Sequence, residues 1–445
     1  MRKKSSYYKN LKDKFNLKKA TIAVVGLGYV GLPLLIQFYR KGFDCIGIDV
    51  DKKKIDLFHN KNNNQYFKHI INRRKKHSFK NNQYINLTTD YSFISKADAI
   101  IICLPTPIYK NNKPNLNYIS SSLKGMKKYL KKGQLLSLES TVAPGTCKKL
   151  VASFLKEKFE LSKDFFLVYS PERENPIIKN IGQKFNFYNT PKICSGYSIN
   201  CKNLGVQMYS KVIKTVIETN SIQNAEMSKM IENVYRAINI GLVNELKMLC
   251  YKMNLNIYDI LSLSETKPFG FTKFKPGPGI GGHCIPVDPY YLIDEARNNN
   301  FELKFVKEAM KINKEITKWC IKQIEKIFIK NYIKKNKSKI LFLGAAYKAN
   351  IDDLRESPSL KFFEYFDKKG FSFDYCDPHI PQIKSKIGIK RSIKLDYKIF
   401  KKYKVIILLV GHDIFNKDKI IKNSNLIIDT RGFFKTSKNK KIYFV

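Results

Sequence analysis

Short runs of apolar residues alternate along this chain with stretches in which apolar residues recur every three or four positions. In the first half of the chain the apolar runs lie at residues 21–25, 43–48, 99–104, 134–138 and 165–169. Runs of this length are typical of strands buried on both faces of a sheet, and the spaced pattern is typical of helices. Strands that alternate with helices predict an α/β fold with a parallel sheet.

The pattern becomes helical in the middle of the chain. A long helix is predicted from Ala225 onwards. Spacings of three and four place four of its side chains on one face, namely Lys229, Asn233, Arg236 and Ile240. Residues 290–332 are also mostly helical, and we interpret them as a long connecting helix and a candidate subunit interface.

A second α/β unit begins near Lys339, with further strands predicted at 405–410 and 425–430. It has only Gly344 in place of a full glycine fingerprint, so we expect it to bind a nucleotide differently from the first unit. The predicted fold is α/β, with two Rossmann-like doubly wound domains joined by a central helical domain. The predicted domains are a basic, weakly ordered arm (1–19), Rossmann-like domains at 20–215 and 333–445, and the helical domain (216–332).

Length and composition bound the class of protein. A chain of 445 residues is too long for one ordinary core, so two or three domains are expected. No apolar run reaches the roughly 18–20 residues that span a membrane. The basic N-terminus has no apolar core and no small-residue cleavage site, so it does not resemble a signal peptide. We therefore expect a cytoplasmic protein without a membrane partner.

The net charge of +45 raises the question of nucleic-acid binding. The lysines are spread over the whole chain, and no nucleic-acid-binding motif accompanies them. We therefore expect no nucleic-acid partner, although the positive field favours anionic small molecules such as nucleotides. The nine cysteines are widely spaced and include no CxxC pair, which predicts reduced thiols and no metal site.

A glycine-rich turn follows the first predicted strand. Gly26, Gly28 and Gly31 form a GxGxxG that opens a helix, and Asp49 ends the next predicted strand. Such glycines allow a tight turn and the close approach of a pyrophosphate, which then lies at the helix N-terminus. Asp49 would accept hydrogen bonds from ribose hydroxyls and disfavour a 2′-phosphate. The turn predicts NAD as the cofactor, with a generic strand–helix turn as the alternative.

Polar residues follow three other strands of the first domain. Thr106 and Thr141 come just after the strands 99–104 and 134–138, at the end where open α/β sheets bind ligands. Both are candidate cofactor contacts, and capping of the following helix is the alternative. Glu172 and Arg173 follow the strand 165–169, where their position favours an active site over a surface ion pair.

Residues 277–289 read GPGIGGHCIPVDP and place Cys284 among glycines and prolines, four residues before Asp288. The glycines let a ligand approach the main chain closely. A small buried cysteine in a tight turn is the alternative, and the local sequence does not decide between structure and catalysis. On the predicted long helix, Lys229 and Asn233 lie one turn apart and could face a substrate, with a solvated helix face as the alternative.

The loop 347–359 lies after a predicted strand of the second α/β unit. It contains Lys348, Asp352, Asp353 and Arg355, more charge than a turn needs. Its position at a strand's C-terminal end makes it a candidate ligand-binding loop.

Seven motifs, in order, make the chain resemble the UDP-glucose/GDP-mannose dehydrogenase family over nearly its whole length. They are VVGLGYVGLPL (24–34), LPTP (104–107), STVAPGT (140–146), SPER (170–173), EMSKMIENVYRAINI (226–240), GPGIGGHCIPVDP (277–289) and AYKANIDDLRESPS (346–359). Within the family, KPFGF (267–271) followed by the cysteine loop is most similar to bacterial UDP-N-acetylglucosamine 6-dehydrogenases. UDP-N-acetylmannosamine and UDP-N-acetylgalactosamine dehydrogenases are close relatives.

The resemblance implies an NAD-dependent, four-electron oxidation of a UDP-N-acetylhexosamine at C6. UDP-N-acetylglucosamine is the expected substrate, and the uronic acid formed would be a precursor of bacterial surface polysaccharides. Cys284, as thiolate, would hold the aldehyde as a thiohemiacetal and then as a thioester that water hydrolyses. Lys229 would stabilise the thiolate and, with Asn233, the developing oxyanion. Asp288 would assist proton transfer, and Glu172 and Thr141 would position or activate the water.

The candidate contacts extend to the cofactor, the substrate and a neighbouring subunit. The cofactor contacts are Gly26, Gly28, Tyr29, Val30, Gly31, Asp49, Lys54, Thr106 and Thr141. The substrate contacts are Glu172, Arg173, Lys229, Asn233, Lys267, Gly281, Lys348 and Arg355. Lys267 is the candidate for a basic residue that reaches the sugar from the neighbouring subunit. The resemblance also implies a homodimer or higher homo-oligomer formed through the central helices.

Two alternatives stay open. The sugar could be that of UDP-N-acetylmannosamine, UDP-N-acetylgalactosamine or UDP-glucose, because SPER continues as ENPIIKN where the subfamily usually has a glycine-containing turn. A non-catalytic nucleotide-binding scaffold is the alternative of a different class. It would have no use for the complete set of Cys284, Lys229, Asn233 and Asp288.

Overall fold

The structure is a computed structural model that describes residues 6–59, 85–173, 188–335, 337–386, 388–434 and 439–445. Residues 60–85, whose polar and basic sequence predicts a surface excursion, and the segment ENPIIKN lie outside the described residues, except for Ile85. The chain forms two compact units. One comprises Met1–Glu232 with Tyr290–Glu295, and the other Asn233–Pro289 with Ala296–Val445.

The first unit contains an eight-stranded sheet in the order β3-β2-β1-β4-β5-β6-β7-β8. Its strands are β1 (Thr21–Val25), β2 (Asp44–Ile48), β3 (Ile85–Thr88), β4 (Ala99–Ile102), β5 (Leu135–Leu138), β6 (Phe166–Tyr169), β7 (Lys192–Gly196) and β8 (Val216–Glu218). All neighbours are parallel except β6 and β7. The order of the first six strands is that of a dinucleotide-binding Rossmann domain, with the switch point between β1 and β4.

Alternate residues of each strand face opposite cores. In β1, Ile22 and Val24 belong to one hydrophobic cluster, and Ala23 and Val25 belong to another. Helices therefore cover the sheet on both faces, which explains why the strands are apolar throughout rather than alternating. The predicted α/β fold with a parallel sheet is confirmed.

The second unit contains a five-stranded parallel sheet in the order β10-β9-β13-β14-β15 and a separate hairpin, β11-β12. The strands are β9 (Lys339–Leu343), β10 (Ser372–Cys376), β11 (Gln382–Ser385), β12 (Gly388–Arg391), β13 (Val405–Leu408), β14 (Ile427–Asp429) and β15 (Ile442–Phe444). In β9, Ile340 and Phe342 again face one core, and Leu341 and Leu343 the other. The second Rossmann-like domain is thus also doubly wound.

Helices connect the strands and fill the middle of the chain. Those of the first domain are Ser6–Asn16, Gly31–Arg40, Lys52–His59, Asn117–Met126, Ser153–Lys156 and Ile199–Tyr209. Those that follow the first sheet and precede the second in the sequence are the central helix (Ile222–Lys252), Ile257–Ser264, Asp288–Asn298 and the second long helix (Lys304–Lys330). Pro358–Lys368 and Lys417–Asn423 follow in the C-terminal domain. None of the helices among the described residues combines the length and apolarity needed to cross a membrane.

The N-terminal segment corrects one expectation. Residues 1–19 were expected to be weakly ordered, yet Ser6–Asn16 is a helix whose Tyr8, Leu11 and Phe15 are at most 3% exposed. Their spacing of three and four places them on one face, which belongs to the core of the first unit. Lys14 also forms a 2.7 Å ion pair with Asp98. The burial of these three apolar side chains therefore orders the segment despite its basic composition.

The second long helix uses its apolar face within the chain. Val306, Ala309, Met310, Ile316 and Ile324 are all buried. These buried side chains pack within the chain itself, and the candidate subunit interface at residues 290–332 stays a prediction.

The second unit contains a buried lysine side chain. Lys247 of the central helix is 3% exposed, and its Nζ donates to the carbonyl of Thr430 at 3.1 Å. Burial lowers the pKa of the Lys247 ammonium, and the charge of Arg431 lowers it further. The hydroxyl of Tyr258 donates to the same Thr430 carbonyl at 3.0 Å, so this acceptor does not depend on Lys247.

Lys247→Met is expected to stabilise the protein by about 1–2 kcal/mol, because it replaces a buried charge with an apolar chain of similar length. The gain should be largest near neutral pH. The folded state disfavours the charged amine, so the wild type itself gains stability as pH rises towards the unfolded lysine pKa. Denaturation at pH 7 and pH 10 measures both effects. Lys252→Met, at an exposed position of the same helix, is the matched control, and equal stability of Lys247→Met and wild type would contradict the prediction.

Candidate active site

The glycine-rich turn of the first unit is shaped as the sequence predicts. Gly26 has φ +95°, and a Cβ there would lie 2.6 Å from the carbonyl oxygen of Cys103. A Cβ on Gly31 would lie 1.9 Å from the oxygen of Gly26, so both glycines are needed by the chain itself. A Cβ on Gly28 would meet no atom within 4 Å. Packing does not require a glycine there, whereas the close approach of a pyrophosphate does.

The helix after this turn begins without a side-chain cap. Its N-cap residue, Val30, makes no side-chain hydrogen bond to the first turn. The half-buried Tyr29 and Val30 thus flank a helix N-terminus whose N–H groups suit an anion. These features fit the pyrophosphate of a dinucleotide.

Asp49 is fixed beside the turn. Its Oδ2 accepts from the backbone N–H of Leu27 at 2.8 Å and from Lys54 Nζ at 3.0 Å, and its Oδ1 accepts from the N–H of Asp51 at 3.0 Å. The carboxylate is 7% exposed and lies at the end of β2. Asp49 and Lys54, both predicted as cofactor contacts, therefore form one ion pair at the end of β2.

The loops that carry Thr106 and Thr141 lie side by side, because β4 and β5 are neighbours. Ser140 Oγ donates to the carbonyl of Leu104 at 2.8 Å and accepts from its N–H at 3.0 Å. Neither threonine caps a helix, since the next helical segments begin at Asn117 and Cys147. The capping alternative is therefore not supported.

A buried carboxylate holds the second of these loops. Glu226 of the central helix is 0% exposed and accepts from the N–H groups of Gly145 and Cys147, at 2.5 and 2.7 Å. Burial raises the pKa of Glu226 to about 7, although the two backbone donors oppose the shift. The loop after Thr141 is thus tied to the helix segment that also contains Lys229.

Glu172 lies in a buried ionic network. Lys192 Nζ, in a side chain 4% exposed, is 3.2 Å from Glu172 Oε2 and 3.0 Å from Glu139 Oε2. Burial opposes the charge on Lys192, but the two carboxylates outweigh it and hold its pKa above the usual value. Burial also raises the pKa of Glu139, whose Oε1 accepts from the hydroxyl of Tyr209. The network fixes the orientation of the Glu172 carboxylate.

Arg173 links its strand end to the central helix. Its Nε donates to Glu232 Oε1 at 2.7 Å, and Lys229 Nζ lies 3.7 Å from Glu232 Oε2. The Lys229 side chain is 12% exposed, which favours partial burial over a solvated helix face. Three charged residues from two elements thus lie together in the first unit.

In the second unit, Cys284 occupies a turn that precedes the helix Asp288–Asn298. The N–H groups of Val287 and Asp288 both donate to the carbonyl of Cys284, at 3.1 and 2.8 Å. The sulfur is half-buried and lies 2.9 Å from Nδ1 of His283. An imidazole at this distance can hold or accept the thiol proton. Cys284 is therefore not the small, fully buried cysteine of the structural alternative.

Asn233 and Asp288 form a direct pair, although 55 residues separate them. Nδ2 of Asn233 donates to Oδ2 of Asp288 at 2.5 Å, and the residues are 4% and 2% exposed. Asp288 begins its helix, where the helix dipole stabilises a negative charge. The pair holds a carboxylate one helical turn after the cysteine.

The glycines of the cysteine loop are required by an aromatic ring. A Cβ on Gly281 would lie 2.5 Å from Tyr347 Cβ, and one on Gly282 would lie 2.8 Å from the Tyr347 ring. Gly282 also donates its N–H to the carbonyl of Arg355 at 2.9 Å. Burial, with the nearby Asp353 and Cys284, raises the pKa of Tyr347 to about 12. The loop 347–359 therefore packs directly on the cysteine loop.

The predicted basic contacts of the second unit differ in setting. Lys348 is half-buried, and burial followed by the charge of Arg236 lowers its pKa. Arg355 makes a bidentate pair with Asp353, with 2.6 Å between Nη2 and Oδ2. Lys267 is exposed, and its Nζ lies 4.8 Å above the ring of Phe269.

The structure thus gathers the predicted residues into two groups. The first unit holds the cofactor turn, Thr106, Thr141, Glu172, Arg173 and Lys229. The second unit holds Asn233, Lys267, Gly281, Cys284, Asp288, Lys348 and Arg355. Sequence reasoning missed His283, Tyr347, Glu139 and Lys192. Only His283 left a local signal, a titratable residue directly before the cysteine.

Comparison with known proteins identifies relatives along the whole chain. Models of the UDP-glucose/GDP-mannose dehydrogenase family match residues 20–213 (NAD binding domain), 223–315 (central domain) and 341–436 (UDP binding domain). UDP-N-acetyl-D-mannosamine dehydrogenase of Campylobacter jejuni is 31% identical, over 90% of this chain and 98% of the relative. Its namesake from Methanococcus maripaludis is 29% identical, over 97% and 96%. The solved structure of UDP-D-ManNAc dehydrogenase from Pyrococcus horikoshii matches with a TM-score of 0.79 and 28% identity, over 95% of this chain and 98% of that one.

Proposed function

Since this chain belongs to the UDP-glucose/GDP-mannose dehydrogenase family of NAD-dependent oxidoreductases, we propose that it oxidises a UDP-N-acetylhexosamine at C6 to the uronic acid on Cys284. The observation that carries the proposal is the turn 284–288. It combines a half-buried thiol beside an imidazole with a carboxylate that Asn233 holds. A nucleotide-binding scaffold has no use for this combination.

We propose that the reaction proceeds through two covalent states of Cys284. The glycine-rich turn would hold one NAD for each of the two oxidations, and each NAD would supply the acceptor for one hydride. After the first oxidation the Cys284 thiolate adds to the aldehyde carbon and forms a thiohemiacetal. The second oxidation converts this adduct into a thioester. Water then attacks the thioester carbon, the acid leaves and the thiolate is regenerated, so that four electrons are transferred per sugar.

The other residues have roles that follow from their chemistry. Lys229 and Asn233 would donate hydrogen bonds to the oxyanion that develops on the C6 oxygen. Asp288 would accept protons through a bound water, and His283 would take the proton of the thiol. Glu172, oriented by Lys192, and Thr141 would position the hydrolytic water. Lys348 and Arg355 would bind the UDP moiety, Gly281 would give clearance for the sugar, and Lys267 would act from a neighbouring subunit.

The identity of the sugar is the finer part of the proposal. UDP-N-acetylglucosamine was the expectation from the cysteine-loop motifs. Both relatives described above and the solved structure are named for N-acetylmannosamine. We therefore propose UDP-N-acetylmannosamine as the first candidate and UDP-N-acetylglucosamine as the second, with the product used for a surface polysaccharide.

The test is NADH formation against a panel of UDP-sugars, with the acid quantified by mass spectrometry. We expect two NADH per molecule of UDP-N-acetylmannosamine consumed and no free aldehyde. A higher kcat/KM for UDP-N-acetylglucosamine, UDP-N-acetylgalactosamine or UDP-glucose would correct the sugar and keep the mechanism. One NADH per sugar, with aldehyde released, would refute the thioester route.

We also propose a cytoplasmic location, which the nine free cysteines support because a reducing compartment keeps thiols unpaired. The free thiols include Cys284, which the proposed reaction needs in its reduced form.

A homodimer is proposed from an exposed stripe on the central helix. The stripe consists of Tyr235, Leu242, Leu246 and Leu249, together with Met253 one residue after the helix end, each 37–56% exposed. Their spacings of seven, four, three and four place them on one face of the helix. A single apolar helix face is self-complementary about a twofold axis, since each copy can cover the other's stripe. A second copy of this chain is therefore the proposed partner.

Leu246→Asp is expected to convert the dimer into a monomer, because it places one charge from each copy in the proposed contact. Sedimentation velocity across a range of protein concentrations measures the change. Ile199→Asp, at a 65% exposed apolar position outside the stripe and outside residues 290–332, should leave the dimer intact. A dimer that survives Leu246→Asp would contradict this interface.

A further inference from the structure

Two buried asparagines lie where the central helix meets the second long helix. Asn244 is 0% exposed and Asn313 is 6% exposed. The helices approach closely there, because a Cβ on Gly241 would lie only 3.1 Å from the carbonyl oxygen of Ala309. Buried amides at a helix contact are costly unless they are hydrogen-bonded, and an apolar pair would pack such helices equally well.

The two amides form a hydrogen-bond relay with a fixed direction. Asn313 Nδ2 donates to the carbonyl of Ala237 at 2.8 Å, so Asn313 presents its oxygen to Asn244. Asn244 Nδ2 donates to that oxygen at 3.0 Å. The oxygen of Asn244 is thereby turned to the N–H of Gly277, which donates to it at 3.0 Å. The relay runs from a helix carbonyl to the first residue of the cysteine loop.

The second long helix holds the next residue of the loop. Thr317, 4% exposed and one turn after Asn313, donates from Oγ1 to the carbonyl of Pro278 at 2.7 Å. A Cβ on Gly279, whose φ is +141°, would lie 2.6 Å from the same Oγ1. Side chains of both long helices therefore fix the backbone at residues 277–279, five to seven residues before Cys284.

We propose that Asn244, oriented by Asn313 and assisted by Thr317, is a positioning residue for the Cys284 nucleophile. The inference rests on the proposed function of Cys284. The relay fixes the loop at Gly277, and the hydrogen bond from the N–H of Gly282 to the carbonyl of Arg355 fixes it at Gly282. Cys284 follows two residues after Gly282, so a loop backbone fixed at 277–279 and at 282 leads the thiol to a defined position. A nucleophile misplaced by about 1 Å loses roughly a hundredfold in rate, so the fixed backbone serves the chemistry.

Replacing both asparagines with leucine tests the alternative that the two amides only join the helices. Asn244→Leu leaves Asn313 without its donor and should destabilise the protein. The double variant Asn244→Leu with Asn313→Leu restores an apolar helix contact and should recover most of the thermal stability. We expect its kcat to stay about ten- to a hundredfold below wild type with KM changed less than about threefold. A double variant with wild-type kcat would overturn the proposal.

Two further variants keep the test decisive if the leucine pair does not fold. Asn244→Asp retains an acceptor for the N–H of Gly277 and should keep a higher kcat than Asn244→Leu. Thr317→Val is isosteric, leaves the amide pair intact and releases the carbonyl of Pro278, so kcat should fall several-fold with little change in thermal stability. Wild-type kcat in Thr317→Val, together with equal kcat in the aspartate and leucine variants, would overturn the proposal.

A substrate-free measurement separates this inference from the proposed function. The rate of alkylation of Cys284 by iodoacetamide, located by peptide mass spectrometry, depends on the position of the thiol and not on the sugar. It should change several-fold in the Asn244 and Thr317 variants, while the other cysteines keep their wild-type reactivity. If no UDP-sugar is oxidised by the wild type, the proposed function fails, and a changed alkylation rate still supports the positioning role. An unchanged rate in all folded variants would refute it.

Discussion

Replacing Cys284 with serine is expected to lower the rate of acid formation about a thousandfold or more, because it removes the proposed nucleophile. A serine hydroxyl is a far weaker nucleophile than a thiolate at neutral pH. The imidazole of His283, 2.9 Å from the sulfur, can accept a proton from a thiol but cannot give a hydroxyl the same reactivity. The aldehyde would then not be held for the second oxidation.

The measurement is a quenched single turnover that follows NADH and acid separately. In Cys284→Ser we expect at most one NADH per active site, no acid above background and no covalent adduct in the intact-protein mass. Cys250→Ala is the matched control, because Cys250 is a buried thiol of the central helix outside the cysteine loop. Acid formation at the wild-type rate in Cys284→Ser would remove Cys284 from the mechanism.

The cofactor turn could be predicted from the sequence because its parts are local. The strand, the three glycines, the helix and Asp49 occupy some thirty consecutive residues, and each has its own propensity or pattern. Gly31 proved to be required by a backbone contact within the turn, and Gly26 by its positive φ. Contacts of this kind lie within reach of sequence reasoning because the chain geometry alone determines them.

The ionic network around Glu172 could not be predicted. Glu139 and Glu172 follow β5 and β6, Lys192 begins β7, and the three residues meet only in the folded sheet. In a chain with 82 basic residues, nothing in the sequence distinguishes Lys192 from a solvated lysine. Lys192 differs from a solvated lysine in being buried, and its burial follows from the strand order rather than from the local sequence pattern.

The helix at the N-terminus was not predicted for a related reason, because the basic composition of this segment is typical of a weakly ordered arm. Six lysines and one arginine precede residue 19, and they concealed the spacing of Tyr8, Leu11 and Phe15. A narrow apolar face needs only one residue per turn when a neighbouring helix covers it. The helix Ile199–Tyr209 supplies that cover, about 190 residues further along the chain.

The pair of Asn233 and Asp288 leads to the second large expected effect. Asn233→Asp would place two buried carboxylates where an amide now donates to Asp288 at 2.5 Å. We expect kcat to fall about a hundred- to a thousandfold at pH 8, because the oxyanion loses a donor and gains a negative neighbour. Two carboxylates this close do not both ionise, so one proton is retained as pH falls and the hydrogen bond is restored. The loss should therefore be smaller at pH 6 than at pH 8, whereas Asn233→Ala should show no such recovery.

The exchanged double variant, Asn233→Asp with Asp288→Asn, decides what the pair is for. It keeps one amide, one carboxylate and one hydrogen bond, but it moves the negative charge to the central helix and the donor to the turn after Cys284. If the pair only fastens that turn, the exchange should restore both thermal stability and kcat. If Asn233 is the oxyanion donor and Asp288 the proton acceptor, as proposed, stability returns and kcat stays at least about a hundredfold low, because each group then faces the wrong atom of the substrate. The thermal midpoint and kcat, measured in parallel in wild type, the Asn233 variants and the exchanged variant, separate the two roles. Full recovery of kcat in the exchanged variant would refute the catalytic assignment of both residues.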